Sequence, residues 1–149
     1  MFETSRPLVA ATLCIVPILL AGCQSALSHE DLSGTWKGAG HTINSRGQSH
    51  THKFLVLEVN ENGLIEGSSG WELIEGPGGH DGDTPSRRSE ERIIGVFVPD
   101  TGEIHLAEME EHGRIHGTLL DERRIRMVLV QPGVKPVAST FILTKVEED

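Results

Sequence analysis

The sequence predicts an all-β fold, an eight-stranded antiparallel up-and-down β-barrel that follows an N-terminal signal peptide. Three observations predict it. Turn residues recur at short intervals: Asn62-Gly63, Asp100-Thr101-Gly102, His112-Gly113, Asp121-Glu122 and Pro132-Gly133. Glycine and asparagine take positive φ cheaply, which tight hairpins require. Between these turns no stretch keeps a 3.6-residue apolar period, whereas several alternate in steps of two. Consecutive hairpins leave open sheet edges unless the first and last strands meet, and a closed barrel is the shortest arrangement in which they do.

The first element is an export signal. Met1 to Pro7 is short and polar, with Arg6 its one basic residue and Glu3 offsetting it. Leu8 to Leu20 is an apolar run of 13 residues, broken only by Thr12 and Pro17. A membrane-spanning helix needs roughly 20 apolar residues, so this run has the length of a signal-peptide core. Leu20-Ala21-Gly22-Cys23 then resembles the lipobox of bacterial lipoproteins: an aliphatic residue, two small residues and cysteine. The resemblance implies cleavage after Gly22 and acyl chains, palmitate among them, on Cys23. Each buried methylene contributes about 0.8 kcal/mol, so the two or three chains of a lipoprotein anchor durably. Gln24, where an Asp favours retention in the inner membrane, resembles the outer-membrane pattern. The expected organisation is a signal peptide over 1–22, the lipidated cysteine and a tether over 23–31, and a barrel domain over 32–149.

The strands follow in order: Gly34 to Thr42, His50 to Asn60, Leu64 to Ile74, Arg92 to Pro99, Glu103 to Glu111, Arg114 to Asp121, Arg124 to Gln131 and Ala138 to Val146. In the third, Ile65, Gly67, Ser69, Trp71 and Leu73 share one face. In the fifth, Ile104 and Leu106 oppose His105 and Met109. The second, with Phe54, Leu55, Val56 and Leu57, is apolar on both faces, which fits an outer contact with a second copy or with the N-terminal segment. Glu75 to Glu91 carries Gly76-Pro77-Gly78-Gly79 and His80-Asp81-Gly82-Asp83, and reads as one long irregular loop. Such loops in small domains are often functional or disordered. Aromatic girdles are absent, which argues against an outer-membrane-spanning barrel.

Composition narrows the function classes. The net charge is −9, which argues against nucleic acid and against an electrostatic hold on anionic lipid. Cys14 leaves with the signal peptide and Cys23 is consumed by lipid, so no thiol remains for a disulfide. The mature aromatics are Trp36, Phe54, Trp71, Phe97 and Phe141, with no tyrosine. The core must therefore be mostly Ile, Leu and Val.

Leu32-Ser33-Gly34-Thr35-Trp36 opens the domain, and its Gly-x-Trp resembles the start of the calycin barrels, which include lipocalins and avidins. Asn62 to Gly67, Ile93 to Phe97 and Ser139 to Lys145 resemble, in order, the second hairpin, fourth strand and last strand of the avidin family. The resemblance implies the barrel, with Trp36 packed across its closed end. It does not imply biotin binding. Lys37-Gly38 stands where avidins place an Asn, Ser69 and Trp71 match their third-strand Tyr and Ser, Ile115 meets their stacking Trp, and Ser139 meets their Asp. Trp36, Trp71 and Ser69 are the positions expected to close the fold or meet a ligand.

Other constellations are weak. His50 and His52 share a strand face, and His105 and His116 fall on adjacent strands, yet no spacing matches a zinc signature. They read as solvated histidines, and no metal or cofactor is expected. Glu108, Glu110 and Glu111, beside His112, read as solvated charges at a hairpin tip. Ser68, Ser69 and His80 lack the elbow of a hydrolase, and no enzyme is expected. Arg123, Arg124 and Arg126 are expected to pair with the Glu-rich segment, with contact to lipid headgroups as the alternative. The resulting expectation is a membrane-tethered, non-enzymatic envelope barrel. It binds a small molecule in its mouth, binds a protein on its surface, or inhibits a hydrolase through loop 75–91.

Overall fold

The computed structural model describes residues 27–81 and 84–147. Cys23, its lipobox and the first part of the tether lie outside the described residues. Among the described residues, ten strands and one helical turn form: α1 (His29–Leu32), β1 (Gly34–Asn44), β2 (Gly47–Val59), β3 (Leu64–Glu75), β4 (Gly79–Asp81), β5 (Thr84–Ser86), β6 (Arg88–Val98), β7 (Glu103–Glu108), β8 (Arg114–Asp121), β9 (Arg124–Gln131) and β10 (Val137–Lys145). Eight of them close in the order β1-β10-β9-β8-β7-β6-β3-β2, and every pairing is antiparallel. The sequence expectation of an eight-stranded up-and-down barrel is met.

Closure depends on β1, which pairs with β2 from Gly34↔Leu57 onward and with β10 from Trp36↔Lys145 onward. At Gly38 and Gly40 this strand approaches β10 so closely that a Cβ would overlap the carbonyl oxygens of Ile142 and Thr140. Only glycine fits there.

The two ends of the barrel differ. The turns at 60–63, 99–102 and 121–124 lie at one end, together with α1. The sequence alone places His29 to Asp31 in a tether and starts the domain at Leu32. Instead Ser28 caps the turn, its side chain accepting from the Asp31 N–H while the Asp31 carboxylate accepts from the Ser28 N–H at 2.7 Å. Leu32 is buried completely. Lys145 Nζ donates to the carbonyls of Glu30 and Asp31 at 3.0 and 2.8 Å and lies 5.5 Å from the Trp36 ring. Trp36 itself has no exposed surface, and its Nε1 donates to the Leu32 carbonyl at 2.9 Å. This end is plugged. Above it, Leu55, Leu57, Ile65, Ile93, Ile104, Ile125, Met127 and Leu143 fill the interior.

Two expectations are corrected here. The 75–91 segment is not irregular: β4 and β5 pair as a short hairpin, and β6 already starts at Arg88. Its glycines and Pro77 concealed strand pairing that begins before the apolar run at Ile93. The Arg123–Arg126 cluster does not meet the Glu-rich segment. Arg124 pairs with Asp121 at 2.7 Å and Arg123 with Glu147. The β8–β9 turn is at the plugged end, and Glu108 to Glu111 lie at the other.

Candidate functional site

The strand period of two that fills the plugged half continues upward into the open half, but there the inward residues turn polar. On β2, Leu57 and Leu55 are followed along the same face by Lys53, Thr51 and Ser49. On β6, Phe97 and Ile93 are followed by Glu91 and Ser89. On β7, Ile104 and Leu106 are followed by Glu108. On β3, Ile65 is followed by Ser69 and Trp71. Side chains of this size and polarity do not fill the upper half. They line a cavity of about 260 Å³, open at the end formed by the turns 44–47, 75–88, 109–113 and 132–136.

The hairpin β4–β5 builds one wall of the mouth. Asn44 Nδ2 donates to the Gly78 carbonyl at 2.9 Å, and the Gly78 N–H donates to Ser49 Oγ at 3.1 Å. Gly79 lies flat against the Trp71 indole, where any Cβ would collide. The neighbouring part of the mouth is tied down by Glu91 on β6. Its Oε2 accepts the backbone N–H groups of Glu110 and Glu111 at 3.0 and 3.1 Å, which fixes the β7–β8 turn over β6. Trp71, Leu129 and Val137 give the cavity its apolar surface, and Ser69, Ser89, Thr42 and Gln131 its neutral polar surface.

Two ionisable groups face each other across this space. Lys53 is only 7% exposed. Its Nζ stands 5.4 Å from the centroid of the Phe141 ring. Burial lowers its pKa to about 8, a fall that attraction to Glu108 partly opposes. Glu108 is held at its backbone, its N–H donating to the Gly113 carbonyl at 2.9 Å. Its Oε2 is buried without a hydrogen-bond partner among the described residues. Burial raises its pKa to about 7, helped by the charges of Glu91 and Glu111 and opposed by Lys53 and by hydrogen bonding to the Gly113 backbone, against which the carboxyl packs. No ion pair joins Lys53 to Glu108 among the described residues. A buried amine and an unsatisfied carboxyl oxygen on one small cavity are costly to the fold, and groups so perturbed gather at functional sites.

The sequence-based candidates distribute as follows. Ser69 and Trp71 line the cavity, and Trp36 sits at the plugged end, away from it. His41, His50, His105 and His116 lie on the outer surface in two separate pairs. His41 stacks on His50 at 4.9 Å, and His105 Nδ1 meets His116 Nδ1 at 3.2 Å. His52 is exposed beside Ala39 and Glu72. The pairs occupy different walls of the barrel, and no cluster of three or more metal-ligating residues forms among the described residues. Glu108 departs from the sequence reading. It is not a solvated tip residue, because β7 ends at Glu108 and keeps it in phase with Ile104 and Leu106. Sequence reasoning also misses Lys53, although its parity with Leu55 and Leu57 is an available signal.

No protein-family model and no curated protein matches this chain. Solved structures do resemble it. The structure of EF1p2_mFAP2b bound to DFHBI superposes with a TM-score of 0.50 and 13% identity, covering 78% of this chain and 95% of that one. An S-type phycobiliprotein lyase, CPES, from Guillardia theta superposes with a TM-score of 0.50 and 7% identity, covering 81% and 92%. A bovine odorant binding protein in complex with a selenium-containing odorant gives 0.46 and 14%, covering 82% and 74%. At these identities the likeness speaks for the fold alone, a closed antiparallel β-barrel.

Proposed function

We propose that this protein is a lipid-anchored envelope protein that binds a small amphipathic molecule in the open half of its barrel, without catalysing its turnover. The observation that carries the reading is the cavity of about 260 Å³ above a plugged core. Its volume lies just below the range of about 300–1,000 Å³ usual for ligand pockets, and its make-up is theirs: apolar walls with a few convergent polar groups. A barrel serving only as an outer scaffold gains nothing from a buried lysine and an unsatisfied glutamate inside. The DFHBI-bound barrel, similar in fold, carries a small molecule, which accords with this reading. Anchoring rests on Leu20-Ala21-Gly22-Cys23 and Gln24, which favour the outer membrane where the cell has one.

The cavity is tested by fluorescence titration with 1-aminoanthracene, a small neutral amphiphile. Saturable binding, with energy transfer from Trp71, is expected. Ser69→Trp, which fills the lumen, should abolish it. Binding unaffected by Ser69→Trp would place the probe on the outer surface and refute the reading.

A further inference from the structure

Lys53 and Glu108 do more than furnish polar contacts. The lumen presents Glu91, Glu108, Glu110 and Glu111 against Lys53 and Lys135, so an anionic ligand finds an excess of like charge. A neutral group is the better guest for the space between the amine and the carboxyl. The chemistry available there is that of an amine shielded from water, in a lumen also lined by the Glu108 carboxyl group, whose inner oxygen Oε2 is buried against Gly113. We propose that Lys53 is a carbonyl-capturing amine: the lumen takes an aldehyde with a small apolar body and holds it as a reversible imine on Lys53, with Glu108 moving the protons. This inference rests on the small-molecule reading above and names the ligand class.

The step balances. The unprotonated Lys53 Nζ attacks the aldehyde carbon and forms a C–N bond. The carbonyl π pair moves to oxygen, which takes the proton of the Glu108 carboxyl, and Glu108 recovers a proton from the nitrogen. The neutral carbinolamine then loses its hydroxyl as water, protonated by Glu108, while the nitrogen lone pair forms the C=N bond. The products are a protonated imine on Lys53, a Glu108 carboxylate beside it and one water. The carboxylate then offsets the imine's charge inside the lumen, and water reverses the sequence. Both groups are suited to this chemistry, since burial keeps part of Lys53 unprotonated near neutral pH and Glu108 changes protonation in the same range. Trp71, Leu129 and Val137 would flank the apolar body.

The chain has four lysines, Lys37, Lys53, Lys135 and Lys145, which makes the test clean. The full-length protein is incubated at pH 7.5 with trans-cinnamaldehyde and cyanoborohydride, and the lysines are mapped by peptide mass spectrometry. Lys53 should be trapped at least roughly tenfold faster than the others, since its lowered pKa leaves far more free amine. Glu108→Gln should slow trapping at Lys53 by roughly tenfold or more. Electrostatics alone would act the other way, because removing that charge makes Lys53 easier to deprotonate. Cinnamyl alcohol, which has the same body and no carbonyl, is titrated in parallel by Trp71 quenching. If alcohol and aldehyde bind while Lys53 reacts no faster than Lys37, the imine is refuted and the small-molecule reading stands. If neither binds and adducts scatter over all four lysines, both fail.

Discussion

Replacing Lys53 by methionine should stabilise the barrel near neutral pH. Methionine keeps the unbranched stem and roughly the volume of lysine, so packing between Thr51 and Leu55 is preserved and only the ammonium is lost. The magnitude follows from the pKa. Lys53 falls from 10.5 to about 8 on folding, and each tenfold change in proton affinity is about 1.4 kcal/mol. Confining the charged form thus costs about 3 kcal/mol at any pH below 8, a large part of the roughly 5–15 kcal/mol that holds a domain of this size. The sign is set by proton counts. Between pH 8 and 10.5 the unfolded chain binds more protons at this lysine than the folded one, so wild-type stability rises with pH across that window. Lys53→Met lacks the rise. Urea denaturation at a series of pH values should place its midpoint about 1 M or more above wild type at pH 7, with the gap closing as pH approaches 10.5. A variant less stable than wild type at pH 7, or a gap constant from pH 7 to 10, would refute the reasoning. With no tyrosine in the chain, the alkaline limb carries no phenol titration to confuse it.

Three further outcomes are expected. Glu108 has the opposite linkage: its pKa is raised to about 7, so its contribution is fully present below about pH 4.5 and is lost as pH rises to 7. Glu108→Gln should therefore gain on wild type over that interval, by about 1–2 kcal/mol after discounting for water in the open mouth; denaturation at both ends checks it, and a parallel pair of curves contradicts it. Trp36→Ala should cost about 3–5 kcal/mol, since it empties the plugged end and strips the Leu32 carbonyl of its donor; a midpoint change worth under about 1 kcal/mol would remove Trp36 from its role in closing the barrel. Cys23→Ser should shift the protein from the detergent to the aqueous phase on partition, and unchanged partition would discount the lipobox.

The barrel is legible in the sequence because hairpin turns and strand alternation are local. Asn62-Gly63 and Pro132-Gly133 mark turns wherever they stand in the fold. The helical turn at His29–Leu32 is not legible, since four residues show no period and are held by Lys145, more than a hundred positions away. The hairpin β4–β5 is hidden for a related reason: it pairs Gly79, His80 and Asp81 with Ser86, Pro85 and Thr84, with no apolar alternation to announce it. The lumen is the largest omission. On β2, Phe54 and Val56 give the outer face as much apolar character as the inner one. That masks the parity which puts Lys53 with Leu55 and Leu57. Phe54 covers Gly70 on the outside, so its hydrophobicity reports packing between neighbouring strands and says nothing about the barrel interior. Glu108 is misjudged because three glutamates in four residues look like a solvated tip. Only the point where β7 stops separates the inward Glu108 from Glu110 and Glu111.

The central claim is that the open half of this barrel holds a small organic molecule. Native mass spectrometry of the protein, released gently from the membranes of the cells that make it, tests that most directly. The account predicts a stoichiometric low-mass adduct on wild type that is absent from Ser69→Trp. Wild type and Ser69→Trp both flying at the bare protein mass, or both carrying the same adduct, would contradict it.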